Sequence, residues 1–291
     1  MDLPVEALLL AHEPALRLAA FVSILALMAA WEVLAPRRTR TLSRRRRWPA
    51  NLGIVVLNTV LLRLLLPTAA VGVALSAESH GWGLLNYFAL PSWTALSVGV
   101  VFLDLAIYLQ HVMFHAVPAL WRLHRMHHAD LDIDVTTGAR FHPVEILLSM
   151  LIKFAAIAAL GVPPAAVVLF ELLLNATSMF NHGNVRIPLS VEPVLRWLLV
   201  TPDMHRVHHS IDRSETNSNF GFNLSLWDRL FGTYRAQPRA GHEAMTIGIP
   251  EFRDQAECAT LTGMLAIPFR GARQAPGGSL EPRHGKDAVY P

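Results

Sequence analysis

The sequence predicts an all-α integral-membrane fold, a bundle of about four or five transmembrane or re-entrant helices with a helical cap. The chain has 291 residues, of which 53% are hydrophobic and only 16% charged. Soluble domains carry about 25% charged residues, so this balance favours a membrane protein. The chain also has fourteen histidines, and ten of them fall between positions 111 and 209. That clustering points to a shared site.

The transmembrane helices are predicted from long apolar runs. A helix needs about 20 apolar residues to cross the hydrocarbon core of a bilayer. The candidate spans are about Ala15–Ala35, Asn51–Ala77, Trp93–Phe114, Val144–Leu160 and Pro164–Phe180. The last two are short, so they either cross incompletely or form a re-entrant pair. Arg63 falls within the second span, where a charge at a helix centre costs about 2.5–3.5 kcal/mol. Either that helix is displaced or Arg63 faces protein.

An arginine-rich loop between the first two spans predicts the orientation. Between Pro36 and Trp48 the arginines are Arg37, Arg38, Arg40, Arg44, Arg45, Arg46 and Arg47. A nucleic-acid partner is not expected, because a basic loop between two apolar spans is typical of a cytoplasmic connection. The second and third spans then cross out and back, so the third span ends on the cytoplasmic face. The fourth and fifth spans form a hairpin that leaves this face and returns to it. All ten clustered histidines are then expected on the cytoplasmic face.

The histidines occur in spaced motifs. His111 and His115 stand four residues apart, so both imidazoles share one helical face. Two HxxHH triplets follow, and two single histidines stand between the triplets in RFHPVE and FNHGN. The candidate metal ligands are therefore His111, His115, His124, His127, His128, His142, His182, His205, His208 and His209.

This set predicts a site with two metals. One metal takes about four to six ligands, and ten imidazoles exceed that number. Imidazole suits iron, zinc, copper and nickel. Because neutral ligands leave the cationic charge uncompensated, nearby carboxylates are expected to accept hydrogen bonds from the ligands. The candidates are Asp104, Asp130, Glu145 and Asp203. The single cysteine, Cys258, excludes a thiolate cluster.

Other classes explain the histidines less well. A pH sensor does not need metal-ligand spacing, and a bis-histidine haem needs two opposed ligands rather than triplets. A zinc protease would need HExxH, which the sequence lacks. A membrane metal-binding or transport protein stays open as an alternative. Its ligands would be expected near the middle of the membrane, however, whereas these lie at one edge.

In this order, the motifs resemble those of the fatty acid hydroxylase superfamily, whose members are often described as sterol desaturases. The matching segments are HxxxH at His111–His115, HxxHH at His124–His128, RFHPVE around His142, TPDMHRVHHS around His205–His209, and NSNFGFNLSLWDRLFGTY from Asn217 to Tyr234. The resemblance covers about Trp93 to Tyr234. With the apolar runs it divides the chain into an N-terminal transmembrane region (1–92), a catalytic domain (93–240) and a tail (241–291). The tail is expected to be partly disordered, because residues from about Arg270 onward are rich in glycine, proline and charge.

The resemblance implies a di-iron oxidoreductase that uses O2 to hydroxylate a C–H bond of a lipid, or alternatively to desaturate a lipid or sterol. It carries eight histidines over as motif ligands, whereas His182 and His142 match more variable positions, and His142 is equally able to brace the site. Zinc would accept the same imidazoles. No dinucleotide-binding GxGxxG motif is present, so electrons are expected from outside, from a ferredoxin or a cytochrome b5-like protein with its reductase.

Overall fold

The computed structural model describes residues 3–88 and 90–271, and this part of the chain folds into α-helices joined by loops. The helices before residue 182 are α1 (Leu3–Ala11), α2 (Glu13–Leu34), α3 (Arg44–Leu65), α4 (Ala69–Ser79), α5 (Leu84–Phe88), α6 (Ser92–Ala116), α7 (Pro118–His128), α8 (Pro143–Leu160) and α9 (Pro164–Asn181). Shorter helices follow: α10 (Glu192–Leu195), α11 (Pro202–His208), α12 (Arg213–Thr216), α13 (Leu226–Leu230), α14 (Gly241–Ala244), α15 (Gln255–Cys258) and α16 (Leu261–Ala266). The described residues contain isolated β-bridges but no strand, which confirms the all-α prediction.

Five helical segments are long and apolar enough to cross a membrane, as predicted. They are Glu13–Leu34, Arg44–Phe88, Ser92–Ala116, Pro143–Leu160 and Pro164–Asn181. The last of these, α9, is the most buried and packs against α1, α2, α4 and α6. Small residues such as Ala165 and Ala166 are buried on α9, and small side chains let neighbouring helices approach closely. α9 is therefore the central helix of the bundle.

The second span differs in detail from the uninterrupted helix expected over Asn51–Ala77. It begins earlier, at Arg44, and breaks between α3 and α4 around Pro67, because proline cannot continue the hydrogen-bond ladder of a helix. Arg63 lies in the last turn of α3 with an exposed side chain. Of the two alternatives for Arg63, the side chain therefore does not face protein.

Three helix ends meet at one end of the bundle. α6 carries His111 and His115 near its C-terminus, α8 starts directly after His142, and α9 ends directly before His182. At the other end, Gly161 adopts φ +73°, a left-handed conformation that favours glycine, and reverses the chain from α8 into α9. The hairpin thus returns to the end where α6 finishes. Residues 118–142 and 183–271 pack over this end and form the cap.

The cap is held to the bundle by a buried ionic cluster around Arg47, in the first turn of α3. The Arg47 guanidinium is fully buried and donates from Nε and Nη2 to the two carboxylate oxygens of Asp130, at 2.8 and 2.7 Å. It also donates to Asp134. Burial by itself would raise the pKa of Asp130, but Arg47 and Arg140 outweigh it and hold that pKa at about 2. Arg47 is therefore an internal counter-ion as well as the last arginine of the basic run.

A second ionic cluster lies between the spanning helices. Lys153 of α8 donates to Glu171 of α9 at 2.6 Å, and Arg17 of α2 pairs with both Glu171 and Glu13. Charges inside a membrane bundle are expensive unless they are paired. Here two basic groups neutralise two acidic groups, and the pairs join α2 to the α8–α9 hairpin. No motif in the sequence indicates this cluster.

The C-terminal region folds onto the cap as far as residue 271. Arg125 of α7 donates to the carbonyl oxygens of Ile267 and Arg270, at 2.7 and 2.6 Å. Phe252 and Ile267 belong to a hydrophobic cluster beneath α7 and α3. The start of the expected tail is therefore packed. The remainder, residues 272–291, lies outside the described residues.

Candidate metal centre

The structure gathers nine of the ten candidate histidines into two groups. In each group, one nitrogen of every imidazole lies within 4.8 Å of the corresponding nitrogens of the others. Group A consists of His111, His115, His124, His128 and His208, and group B consists of His127, His182, His205 and His209. Both groups contain residues from both HxxHH triplets, so the two sites share elements. His127 and His128 are adjacent in α7, yet they serve different groups.

Three structural elements supply each group. Group A draws on the last turns of α6, on α7 and on the last residue of α11. Group B draws on α7, on the residue after α9, and on α11 with the residue that follows it. In α7, His124 and His128 are one turn apart and point together, while His127 points to the other group. The capping of α11 by Thr201, which accepts from the Met204 N–H, begins the second triplet at a defined position.

Most of these imidazoles are oriented by a hydrogen bond from Nδ1–H to an oxygen acceptor. In group A, His111 donates to the Phe220 carbonyl at 2.7 Å, His124 to Glu145 Oε1 at 2.6 Å, His208 to the Ser218 carbonyl at 2.7 Å, and His115 faces Asn217 Oδ1 at 3.2 Å. In group B, His182 donates to the Ser178 carbonyl at 2.7 Å and His127 to the Arg140 carbonyl at 3.1 Å. Such bonds fix the tautomer and leave Nε2 with a free lone pair.

The Nε2 atoms then face one another at ligand spacing. His111 and His124 are separated by 3.1 Å between Nε2 atoms, His127 and His182 by 3.1 Å, and His205 and His182 by 3.0 Å. Two nitrogens that both carry lone pairs cannot hydrogen-bond and would repel each other. Metal–nitrogen bonds are about 2.0–2.1 Å long, so two such ligands at right angles are about 3.0 Å apart. The donor set therefore fits two cations, one in each group.

Burial favours the neutral form of six group histidines. It lowers the pKa of His127, His128, His205, His208 and His209 well below the usual histidine value, and neighbouring imidazoles lower it further. The pKa of His182 is lowered to about 4, chiefly by burial, although the carboxylates Asp130 and Asp134 oppose the shift. The buried nitrogens His205 Nδ1, His208 Nε2 and both nitrogens of His209 have no hydrogen-bond partner. Neutral, unpartnered imidazoles are what a metal requires.

Among the four carboxylates proposed from sequence, Glu145 is the one that contacts a group histidine. It lies in the first turn of α8 and accepts from His124. Asp104 instead accepts from the Trp227 indole at 2.8 Å and the Leu224 N–H at 3.2 Å. Asp130 binds Arg47, and Asp203 pairs with Arg206 and Arg37. These three hold the segments that carry the histidines.

His142 lies outside both groups. It is the residue at the N-terminus of α8, and its Nδ1 accepts from the Val144 N–H at 3.2 Å. Its ring packs against Phe269. The position of His142 is that of a helix cap, which fixes the start of α8 and thereby the place of Glu145.

Several oxygen acceptors of the site carried no sequence signal. The carbonyls of Phe220, Ser218, Ser178 and Arg140 hold four ligands, and every residue has a carbonyl. Asn217 begins the family-like NSNFGFN segment, but nothing in its spacing indicates that it faces His115. Only the fold brings these acceptors to the histidines.

Replacement of Glu145 by glutamine is expected to lower metal affinity by about 10–100-fold. The amide is a weaker acceptor for the His124 N–H and brings no negative charge. The metal content of purified protein at limiting iron would measure the effect. Glu243→Gln is the matched control, because Glu243 is 71% exposed and contacts no histidine of either group. Equal metal content in the two variants would contradict the role given to Glu145.

The metal-free protein is expected to lose stability as pH falls from about 6.5 towards 4. The unfolded chain binds protons to histidine near pH 6.5, whereas the folded pKa of His182 is about 4. Because the unfolded state binds more protons in this window, acidification favours unfolding. Thermal unfolding of chelator-treated protein across this pH range would measure the trend, and a flat profile would contradict it.

Comparison with known proteins supports the resemblance seen in the motifs. Residues 96–233 match the family model for fatty acid hydroxylase. The chain is 31% identical over 166 residues to the ornithine lipid hydroxylase OlsE of Rhizobium tropici, covering 57% of this chain and 48% of that protein. It is 29% identical over 196 residues to alkylglycerol monooxygenase of Xenopus tropicalis, covering 63% and 41%. The fatty acid hydroxylase vlmA of a Lecanicillium species is 28% identical over 166 residues, covering 51% and 45%.

The family-model match covers the histidine region. The chain spans less than half the length of each of these curated relatives. No solved structure matches the chain at a significant level. The matched region begins near the start of α6 and ends after α13, so it contains all nine histidines of groups A and B.

Proposed function

We propose that this chain, whose residues 96–233 match the fatty acid hydroxylase family model, is a member of that family and a membrane-bound di-iron oxygenase that hydroxylates a C–H bond of a lipid. The observation that carries the proposal is the pair of histidine groups, five and four imidazoles held at metal-ligand spacing. The proposed iron ligands are the nine histidines of groups A and B. His142 caps α8, and Glu145 accepts a hydrogen bond from the ligand His124. When bound, two iron ions would supply the activation of O2 and the transfer of one oxygen atom to carbon.

The residues around the groups favour an apolar substrate. Phe222 packs beside His111 and His205, and Phe220 contacts His111, His115 and His208. Phe141 stacks on His127 with ring centroids 4.5 Å apart. These rings exclude water from the imidazoles and offer an apolar surface to a hydrocarbon chain. Because the groups lie at the ends of spanning helices, a lipid tail can reach them without crossing water.

The names of the relatives favour hydroxylation over desaturation. The relatives are described as hydroxylases and monooxygenases, which act on ornithine lipids, alkylglycerols and fatty acids. We infer that this chain also acts on a lipid and adds one oxygen. Desaturation of a lipid or sterol would use the same histidine centre. The mass of the product distinguishes it from hydroxylation.

Two further parts of the proposal concern the surroundings of the site. The arginine-rich loop between α2 and α3 favours a cytoplasmic location for this end of the bundle. O2 hydroxylation consumes two electrons beyond those of the substrate, so an external donor such as a ferredoxin, or a cytochrome b5-like protein with its reductase, is required. The cap is the surface that such a donor would reach.

Comparative lipid mass spectrometry tests the proposed function. Cells that overexpress the chain should contain a lipid class that has gained one oxygen atom, and cells that express a His182→Ala variant should not. Loss of two hydrogens instead would indicate desaturation. The iron-loaded protein, supplied with a reductant, could instead alter no lipid and move metal across vesicle membranes without consuming O2. That result would indicate a transporter and overturn the proposal.

A further inference from the structure

A basic cavity separate from the histidine groups opens between the end of α2 and the cap. Its volume is about 540 Å³. The lining contains four arginines, which are Arg37, Arg38, Arg40 and Arg186. Thr39 adds a hydroxyl, and none of the group histidines contributes to the lining. Four guanidinium groups around one concave surface form an environment that attracts an anion.

The acidic groups of the cavity only partly neutralise the arginines. Glu32 is buried in the wall and already engaged, since it accepts from the N–H groups of Val135 and Asn184 and pairs with Arg44. Glu243 stands at the mouth, 71% exposed, and pairs with Arg37 at 3.2 Å and Arg186 at 3.6 Å. Arg40 is exposed. Arg37 also pairs with Asp203 at 3.3 Å, but Asp203 is shared with Arg206. The lining therefore keeps an excess of positive charge.

One side of the cavity is apolar and continues into a membrane span. Val33 lines the cavity and is 60% exposed, and its neighbour Leu34, the last residue of α2, is 83% exposed. Since α2 is a candidate span, these side chains lie where acyl chains would be, directly beside the arginines. Positive charge at the end of a span next to exposed apolar side chains matches the headgroup and chain of a phospholipid. A soluble acidic protein would match the charge but not the apolar wall.

We propose that this cavity binds the phosphate-bearing headgroup of an anionic phospholipid, with the acyl chains running along Val33 and Leu34 of α2. Arg40 and Arg186 are the exposed cations that meet the phosphate, and Arg37 and Arg38 form the floor. The site is independent of the proposed oxygenase activity, because it uses no metal ligand.

Binding there would order a segment that adjoins the histidine centre. The Arg37 N–H donates to the Asn184 carbonyl at 3.1 Å, and the Arg38 N–H donates to Asn184 Oδ1 at 3.1 Å. The Arg186 N–H donates to the Ala35 carbonyl at 2.8 Å. Asn184 follows His182 by two residues. A headgroup that bridges Arg40 and Arg186 would thus tie the segment after α2 to the segment after α9, which these bonds already connect.

The test compares two double variants that remove equal charge from the same protein. Arg40→Gln with Arg186→Gln removes cavity arginines, and Arg45→Gln with Arg46→Gln removes exposed arginines in the first turn of α3 that do not line the cavity. Full-length protein is placed in nanodiscs of phosphatidylcholine with a minor fraction of phosphatidylglycerol. Lipid retained after exchange into detergent is counted by mass spectrometry.

We expect the unaltered protein and the control variant to retain phosphatidylglycerol selectively, and the cavity variant to bind it on the order of tenfold more weakly. Equal retention by both double variants would overturn the proposal. So would equally tight binding of inorganic phosphate in neutral nanodiscs, which would indicate a free-anion site. Loss of binding to an acidic ferredoxin, without any change in lipid retention, would indicate a protein-docking surface instead. Single Arg40→Gln, at an exposed position, repeats the test if the double variant unfolds.

Discussion

Replacement of His182 by alanine is expected to abolish lipid hydroxylation and to reduce bound iron from two ions to one per chain. His182 is fully buried in group B, and its Nε2 lies 3.0–3.1 Å from those of His205 and His127. Removing it leaves three imidazoles in that group, while the five of group A are untouched. Iron per chain measured by elemental analysis, together with product formation, gives the two readouts.

His142→Asn is the matched control for this prediction. Histidine is again removed from a position beside a spanning helix, but asparagine can still accept from the Val144 N–H as a helix cap. We expect this variant to keep two iron ions. Loss of iron in His142→Asn equal to that in His182→Ala would contradict the division between group ligands and cap.

Replacement of Arg47 by methionine is expected to destabilise the protein by about 3–5 kcal/mol, the cost of leaving buried charges without a partner. Methionine fills much of the same volume, but Asp130 and Asp134 would lose the guanidinium that they share. The loop that carries them is also hydrogen-bonded to α3 through Asn51 and Thr136 at 3.0 Å. Thermal unfolding in detergent would show the loss as a lower midpoint.

Arg45→Met provides the comparison, since Arg45 is exposed in the same first turn of α3. Its replacement is expected to change stability by less than about 0.5 kcal/mol. If the two variants unfold at the same temperature, Arg47 does not hold the cap to the bundle.

The histidine motifs show how far local spacing predicts a site. Residues i and i+4 of a helix share a face, so His124 and His128 could be paired from the sequence, and the structure places both in group A. The assignment of His127 to group B could not be predicted in this way. It depends on where α9 and α11 bring His182 and His205, and that is decided by packing between distant segments.

The carboxylates show where closeness in sequence fails to predict a contact. Closeness in sequence made Asp104, Asp130, Glu145 and Asp203 equivalent candidates, yet one of them accepts from a group histidine. Glu145 does so from the first turn of α8, the helix that His142 caps. The others contact Trp227, Arg47 and Arg206. A carboxylate's partner depends on its direction in three dimensions, which sequence distance does not encode.

The sequence by itself determined the helical class, the number of candidate spans and the set of histidines. These follow from composition and from periodicity within single elements, which are local properties. The tertiary structure alone decided how nine histidines divide between two groups, why His142 is a cap, and which arginine of the basic run is buried. Each of those outcomes depends on contacts between residues far apart in the chain, such as Arg47 with Asp130 and His182 with His127. Only packing brings such residues together.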